Sequence, residues 1–250
     1  MHRLLADSAL LASESPSLPR DAARHLKVLR VKPGEKVELF DGAGRTRLYS
    51  VSASGSLVAA APAVDHPRRA GGVTLFACVT KGSRWDWTVE KATELGVSRI
   101  VPVISERTIV RLDGAEKAAK AERWRRVAED AARQSDAVWL PEIVEPVSFA
   151  ESLPLVAECS ACFVGALTSP PPKPMLAAVS ETLRGTGSYA AYVGPEGDFT
   201  PSELESLLRM TVPVSLGPTV LRAETAAIYA CAVLVAAIEA RAWNMTWRTR

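Results

Sequence analysis

Cysteine is scarce in this chain. Four in 250 residues do not make the framework of a disulfide-stapled secreted domain. Cys159 and Cys162 form a CxxC, but no second cysteine pair and no nearby histidine completes the four-ligand set that zinc takes, so no metal is expected. No secretory leader is expected: "MHRLLADSALLAS" is interrupted by Asp7 and Ser8 and has no basic segment followed by a clean apolar core. Long apolar runs are lacking. The longest, 226–238, has 13 residues between Glu224 and Glu239, too few to span a bilayer, and predicts a buried helix. There is no repeat and no low-complexity tract; "SPPPKP" (169–174) is a short rigid loop. The expectation is a protein of the reducing cytoplasm, without a membrane partner.

What is present is ordinary globular composition, 48% hydrophobic and 23% charged, in a chain long enough for one large domain or two smaller ones. The net charge of +2 is unevenly spread. Residues 1–70 hold 11 Lys/Arg against 7 Asp/Glu, and the remainder 19 against 21. A basic N-terminal part on a near-neutral body points to a polyanionic partner.

Residues 1–66 read as a β-rich module. "DAARHLKVL" (21–29) is a short amphipathic helix; 32–42 and 42–53 are turn-and-strand segments, and 57–64 a further strand. Short strands punctuated by Gly and Pro predict a small barrel. The linker falls at 65–72, dividing the chain into 1–70 and 71–250. Beyond it the pattern changes. Apolar runs at 73–79, 99–104, 161–167, 189–194 and 212–217 alternate with helical segments, including "WDWTVEKATELG" and 115–135. That alternation predicts a mostly parallel sheet with helices on both faces. Trp85 and Trp87 stand two apart on one helix and cannot both face the core. The Lys and Arg residues between 106 and 134 are interleaved with six acids, a pattern equally suited to a solvated ion-paired face and to RNA.

"YVGPEGDFTPSE" (192–203) is a strand, a glycine turn and a helix start. Thr200 serves as N-cap, Pro201 as first helical residue, and Glu203 closes a capping box. A Walker A loop needs a lysine that is absent, and a dinucleotide fingerprint needs three glycines where only Gly194 and Gly197 occur. Glu196, Asp198, Glu203 and Glu205 oppose phosphate at the helix start. A nucleoside without phosphates fits better, and a cationic one, such as S-adenosylmethionine, better still. "VPVSLGPTVLRAETAA" (212–227) repeats the plan: strand, turn at Leu216-Gly217-Pro218, then Arg222 and Glu224 opening a helix. Arg222 and Glu224 are either an exposed ion pair of little worth or ligand-facing groups beyond a strand's carboxyl end.

Together with "KGSRWDWTVEKATELGVSRIVPVISERTIV" (81–110), these motifs resemble the ribosomal RNA small subunit methyltransferase E family. These are SPOUT-superfamily enzymes that methylate N3 of one uridine in small-subunit (16S) ribosomal RNA. "HLKVLRVKPGEKVELFDG" (25–42) resembles the family's PUA-like RNA-binding barrel. The resemblance implies a trefoil-knotted α/β methyltransferase domain, a homodimer, and S-adenosylmethionine as cofactor. Carried onto this chain, the cofactor residues are Leu167, Val193, Gly194, Pro195, Glu196, Gly197, Leu216, Gly217, Val220, Leu221 and Arg222. Arg222 and Glu224 are the catalytic candidates, Arg222 stabilising a uracil anion and Glu224 orienting it, accepting the proton, or serving a cap or dimer contact. RNA contacts fall to Arg3, Arg24, His25, Arg30, Lys81 and Arg107, toward naked ribosomal RNA or the assembled small subunit. Two departures stand out. The family often has glycine where this chain has Asp198, and commonly an arginine where it has Asp136, Val138 and Trp139. The rival readings are a ribose 2′-O methyltransferase of the same superfamily and a non-catalytic RNA-binding protein.

Overall fold

The computed structural model describes residues 2–28, 30–69 and 71–248, without the side chains of 21, 25, 27 and 244–248. The chain forms two units, 1–68 with 129–140, and 69–128 with 141–250.

The first unit holds β1 (His2–Leu5), α1 (Ser8–Ala12), α2 (Arg20–Val28), β2 (Lys36–Phe40), β3 (Arg45–Val51), β4 (Leu57–Ala59) and β5 (Val64–Asp65). They make a five-stranded sheet in the order β1-β2-β3-β4, with β5 also on β3. β1 runs parallel to β2, and the remaining pairs are antiparallel. Among the described residues no pairing joins β1 to β4, so the expected barrel is here an open list of pairings. The expected strand over 57–64 is two strands with Pro62 between them, where a ladder donor is missing. Leu4, Leu11, Leu26, Val37, Leu39 and Tyr49 pack the interior.

A linear boundary near residue 70 does not anticipate 129–140. This segment joins the first unit through Gly44 N–H donating to Val138 O (3.0 Å) and Leu140 N–H donating to Gly42 O (2.8 Å). Trp139 covers Gly44 so closely that a Cβ there would sit on the indole, and Gly44 has φ 95° besides. The Arg68 guanidinium lies 5.2 Å from the Trp139 ring centroid. Trp139 is therefore a packing wedge in this chain.

The second unit holds β6 (Val73–Cys78), α3 (Ser83–Glu94), β7 (Arg99–Ile104), α4 (Gly114–Gln134, its last turns counting with the first unit), β8 (Glu142–Ile143), β9 (Val147–Ser148), α5 (Phe149–Ala157), β10 (Ala161–Gly165), α6 (Met175–Thr182), β11 (Tyr189–Val193), α7 (Pro201–Leu208), β12 (Val212–Val214) and α8 (Ala223–Arg248). Every strand pair is parallel, in the order β12-β10-β11-β6-β7-β8 with β9 also on β7. Both faces are covered, which is why β6 and β11 are buried at every position. Val73, Leu75 and Ala77 of β6 face α3, α4, α6 and α8; Phe76 and Cys78 face α5 and α7. Each large apolar side chain so buried stabilises the sheet by about 1.5–3 kcal/mol relative to exposure.

α3 ends where the sequence predicts. Gly96 (φ 75°) stops α3, with Val97 N–H donating to Ala92 O at 3.0 Å. Trp85 is 2% exposed and packs on Trp124, whereas Trp87 is 41% exposed. α8 is longer than the 13-residue run within it. Its stretch Ala223–Trp243, with mean hydropathy 1.6, is long and apolar enough by composition to cross a membrane. It packs against β6, β11, α3 and α6.

Candidate functional site

Parallel β10 has β11 on one side and β12 on the other. The chain therefore reverses its direction of travel across the sheet at β10, the kind of place where open α/β sheets leave a crevice at their carboxyl ends. A cavity of ≈ 350 Å³ lies there, walled by three loops. Gly165 ends β10, and Ala166 and Leu167 follow it. Val193 ends β11, and Gly194, Pro195, Glu196 and Asp198 follow it. Ser215, Leu216, Gly217 and the run from Thr219 to Arg222 follow β12.

The second loop is fixed by its own chemistry. Asp198 N–H donates to Pro195 O (3.0 Å), and the Asp198 carboxylate accepts from Phe199 N–H (2.7 Å). Asp198 has φ 58°, a left-handed conformation that Asp tolerates and glycine adopts freely. Phe199 is buried against Tyr192 (5.5 Å between centroids) and Phe149 (6.1 Å). Thr200 and Glu203 close the capping box of α7, with Pro201 as its first residue. The other carboxylate oxygen of Glu203 accepts from Glu106 N–H at 2.9 Å. Glu196 meets Arg84 at 3.3 Å, and Arg107 Nη1 donates to Gly197 O at 3.0 Å. No lysine lines the cavity.

The third loop turns at Gly217 (φ 131°) and enters α8, where Arg222 O accepts the Ala226 N–H (2.8 Å). Arg222 is exposed and lines the cavity. Arg222, just before α8, and Glu224, in its first turn, form no ion pair with each other, against the ion-pair reading of the sequence. Glu224 does not line the cavity, yet one of its carboxylate oxygens is buried with no hydrogen-bond donor among the described residues. Leu167 and Val220 are 69% and 80% exposed, an apolar rim.

The structure thus gathers ten of the expected cofactor positions and leaves Gly197 behind the loop, under Arg107. The basic candidates divide. Arg24, Arg30 and Lys81 are exposed; the His25 side chain lies outside the described residues. Arg3 is a correction. It is 6% exposed, pairs with Glu38 at 2.6 Å and Asp136 at 3.5 Å, and lies 4.4 Å from the Phe40 ring centroid. Its Nη1 also donates to Ala132 O at 2.8 Å, so its charge is paired inside the first unit and not at its surface. On α4, Arg123 pairs with Asp86, Arg125 and Arg126 with Glu122, and Arg133 with Asp130, which is the ion-paired alternative for those residues. Sequence reasoning missed Ser215 and Thr219, among other lining residues, and Arg84 as the partner of Glu196, although all three lie within quoted motifs.

A family model described as an RNA methyltransferase domain matches residues 67–235, and one described as an RNA methyltransferase PUA domain matches 18–57. Ribosomal RNA small subunit methyltransferase E of Mycobacterium bovis is 33% identical over 81% of this chain and 79% of its own. The Bacillus subtilis protein of that name is 33% identical over 65% of this chain and 64% of its own length. A crystal structure of the Neisseria gonorrhoeae protein of that name, bound to S-adenosyl methionine, is 30% identical, covers 94% of this chain and 96% of that one, and superposes with a TM-score of 0.77. The chain belongs to the ribosomal RNA small subunit methyltransferase E family.

Proposed function

We propose that this chain transfers a methyl group from S-adenosylmethionine to N3 of a uridine in 16S ribosomal RNA, in the cavity between the loops after β10, β11 and β12. The observation that carries the reading is the wall of that cavity, which suits a cationic nucleoside and not a phosphate. Val193, Leu216 and Leu221 offer apolar surface for an adenine ring, and Glu196 and Asp198 put acidic groups at its edge. The cofactor supplies a methyl on a sulfonium. Arg222, exposed at the cavity, stabilises charge on the uracil O2 or O4 as the imide proton leaves. Glu224 is the proposed acceptor of that proton; it stands outside the cavity wall, and one of its carboxylate oxygens has no hydrogen-bond partner among the described residues. A role for Glu224 in orienting Arg222 has no contact behind it.

The same reading makes the first unit a PUA-like RNA-binding module with Arg24 and Arg30 on its surface, and the second a trefoil knot formed by the chain after β11. It also makes the protein cytoplasmic, and a homodimer, for which the exposed Tyr229 of α8 and the exposed Val220 and Leu167 offer apolar surface. To test the function, small subunits are incubated with the protein and labelled S-adenosylmethionine, and the RNA is digested to nucleosides. Label in N3-methyluridine is expected. Label on ribose, or none, refutes the reading.

A further inference from the structure

The loop 194–199 walls the cavity, and a segment remote in sequence grips it from behind. Arg107 Nη1 donates to Gly197 O at 3.0 Å and to Phe199 O at 3.4 Å. The aliphatic stem of Arg107 lies over Gly197, where a Cβ would meet Arg107 Cβ at 3.5 Å and Cδ at 3.7 Å. The segment that carries Arg107 is itself fixed. Arg111 donates to Glu106 O (2.7 Å) and Ser105 O (3.2 Å), and Thr108 Oγ1 accepts from Ser105 N–H at 3.0 Å. Glu203, in the first turn of the helix that follows the loop, accepts from Glu106 N–H at 2.9 Å. Loop and platform are therefore tied twice, once through Arg107 and once through Glu203.

We propose that Arg107 is a positioning residue of the methyl-donor site. Its guanidinium holds the Gly197 and Phe199 carbonyls so that Val193 to Asp198 keep the shape that receives the donor, and it is not spent on the RNA backbone. The inference rests on reading the cavity as the methyl-donor site. Without the guanidinium, both carbonyls turn to solvent, and the loop retains the Asp198–Pro195 turn bond, the Phe199 anchor and the Arg84–Glu196 pair. Charge-assisted bonds of this kind are stronger than neutral ones, and the partial exposure of this one moderates its effect.

The test compares the full chain with Arg107→Met, which keeps the stem over Gly197 and removes only the donors, and with Arg107→Lys. Calorimetry reads affinity for S-adenosylmethionine, and steady-state kinetics read KM for small subunits at several salt concentrations. The expected result is a three- to tenfold weaker affinity, about the worth of one exposed charge-assisted bond, in Arg107→Met. Arg107→Lys should recover part of it, with the small-subunit KM and its salt dependence unchanged. Unchanged donor affinity, with a raised small-subunit KM and a salt slope smaller by about one, makes Arg107 a phosphate contact and overturns the inference alone. No donor binding by the unaltered chain overturns the reading of the cavity, and the inference with it.

Discussion

Replacing Gly194 with alanine adds one methyl group at a place where the space is known. Its Cβ would meet three atoms of the Phe199 ring at 3.0, 3.2 and 3.3 Å. The ring cannot easily yield, because it is 4% exposed and held between Tyr192 and Phe149. The backbone of the loop must move instead, by a few tenths of an ångström. Overpacking of this kind costs about 1–3 kcal/mol in stability. Because Gly194 lines the cavity, the same displacement moves the loop carbonyls and amides at the proposed donor site, and affinity for S-adenosylmethionine should fall by about tenfold, on the scale of one lost well-placed hydrogen bond. Urea unfolding reads the first effect and calorimetry the second. Phe199→Leu in the same chain makes room for the methyl group, so the double variant should bind more tightly than Gly194→Ala alone, a positive coupling in the double-mutant cycle. If Gly194→Ala binds the donor as tightly as the unaltered chain, the loop does not form the donor site and the reasoning fails.

Arg3→Met should lower the stability of the first unit by about 3 kcal/mol, since it strands Glu38 and the Ala132 carbonyl, and urea unfolding checks it; a stable variant with weakened RNA binding would return Arg3 to the surface. Gly44→Ala should destabilise by more than about 1 kcal/mol, because the left-handed backbone and the covering indole both oppose a side chain, and Trp139→Ala should relieve part of that cost in thermal melts. Burial pushes the Cys78 and Cys231 thiols up to about 12. At pH 8 native protein should leave both unalkylated while denatured protein reacts at both, as read by mass spectrometry. The unfolded chain loses these protons first, so stability should fall as pH rises past the ordinary thiol value; a flat profile from pH 8 to 10 would count against their burial.

What the sequence made legible was what local pattern controls. The apolar runs of β6 and β11, the alternation of strands with helices, and the start of α7 at Thr200 all follow from burial on two faces and from capping. The cavity residues were legible because they lie at strand ends within motifs. Three things were not. β1 is four residues long and is defined by its parallel pairing with β2, which no local periodicity announces. The 129–140 excursion depends on Gly42 and Gly44 accepting a distant backbone and indole. The burial of Arg3 depends on Glu38 and Asp136, so a charge that reads as surface became interior. α5 is a different case: Ser148 and Glu151 form a full capping box, a signal present in the sequence and passed over.

The central claim is that the methyl donor sits between the loops after β10, β11 and β12. Hydrogen exchange of the full chain, with and without saturating S-adenosylmethionine, tests it most directly. The account predicts slowed exchange confined to the amides around 165–167, 193–199 and 215–223. Protection centred on the first unit, or none at saturation, would contradict it.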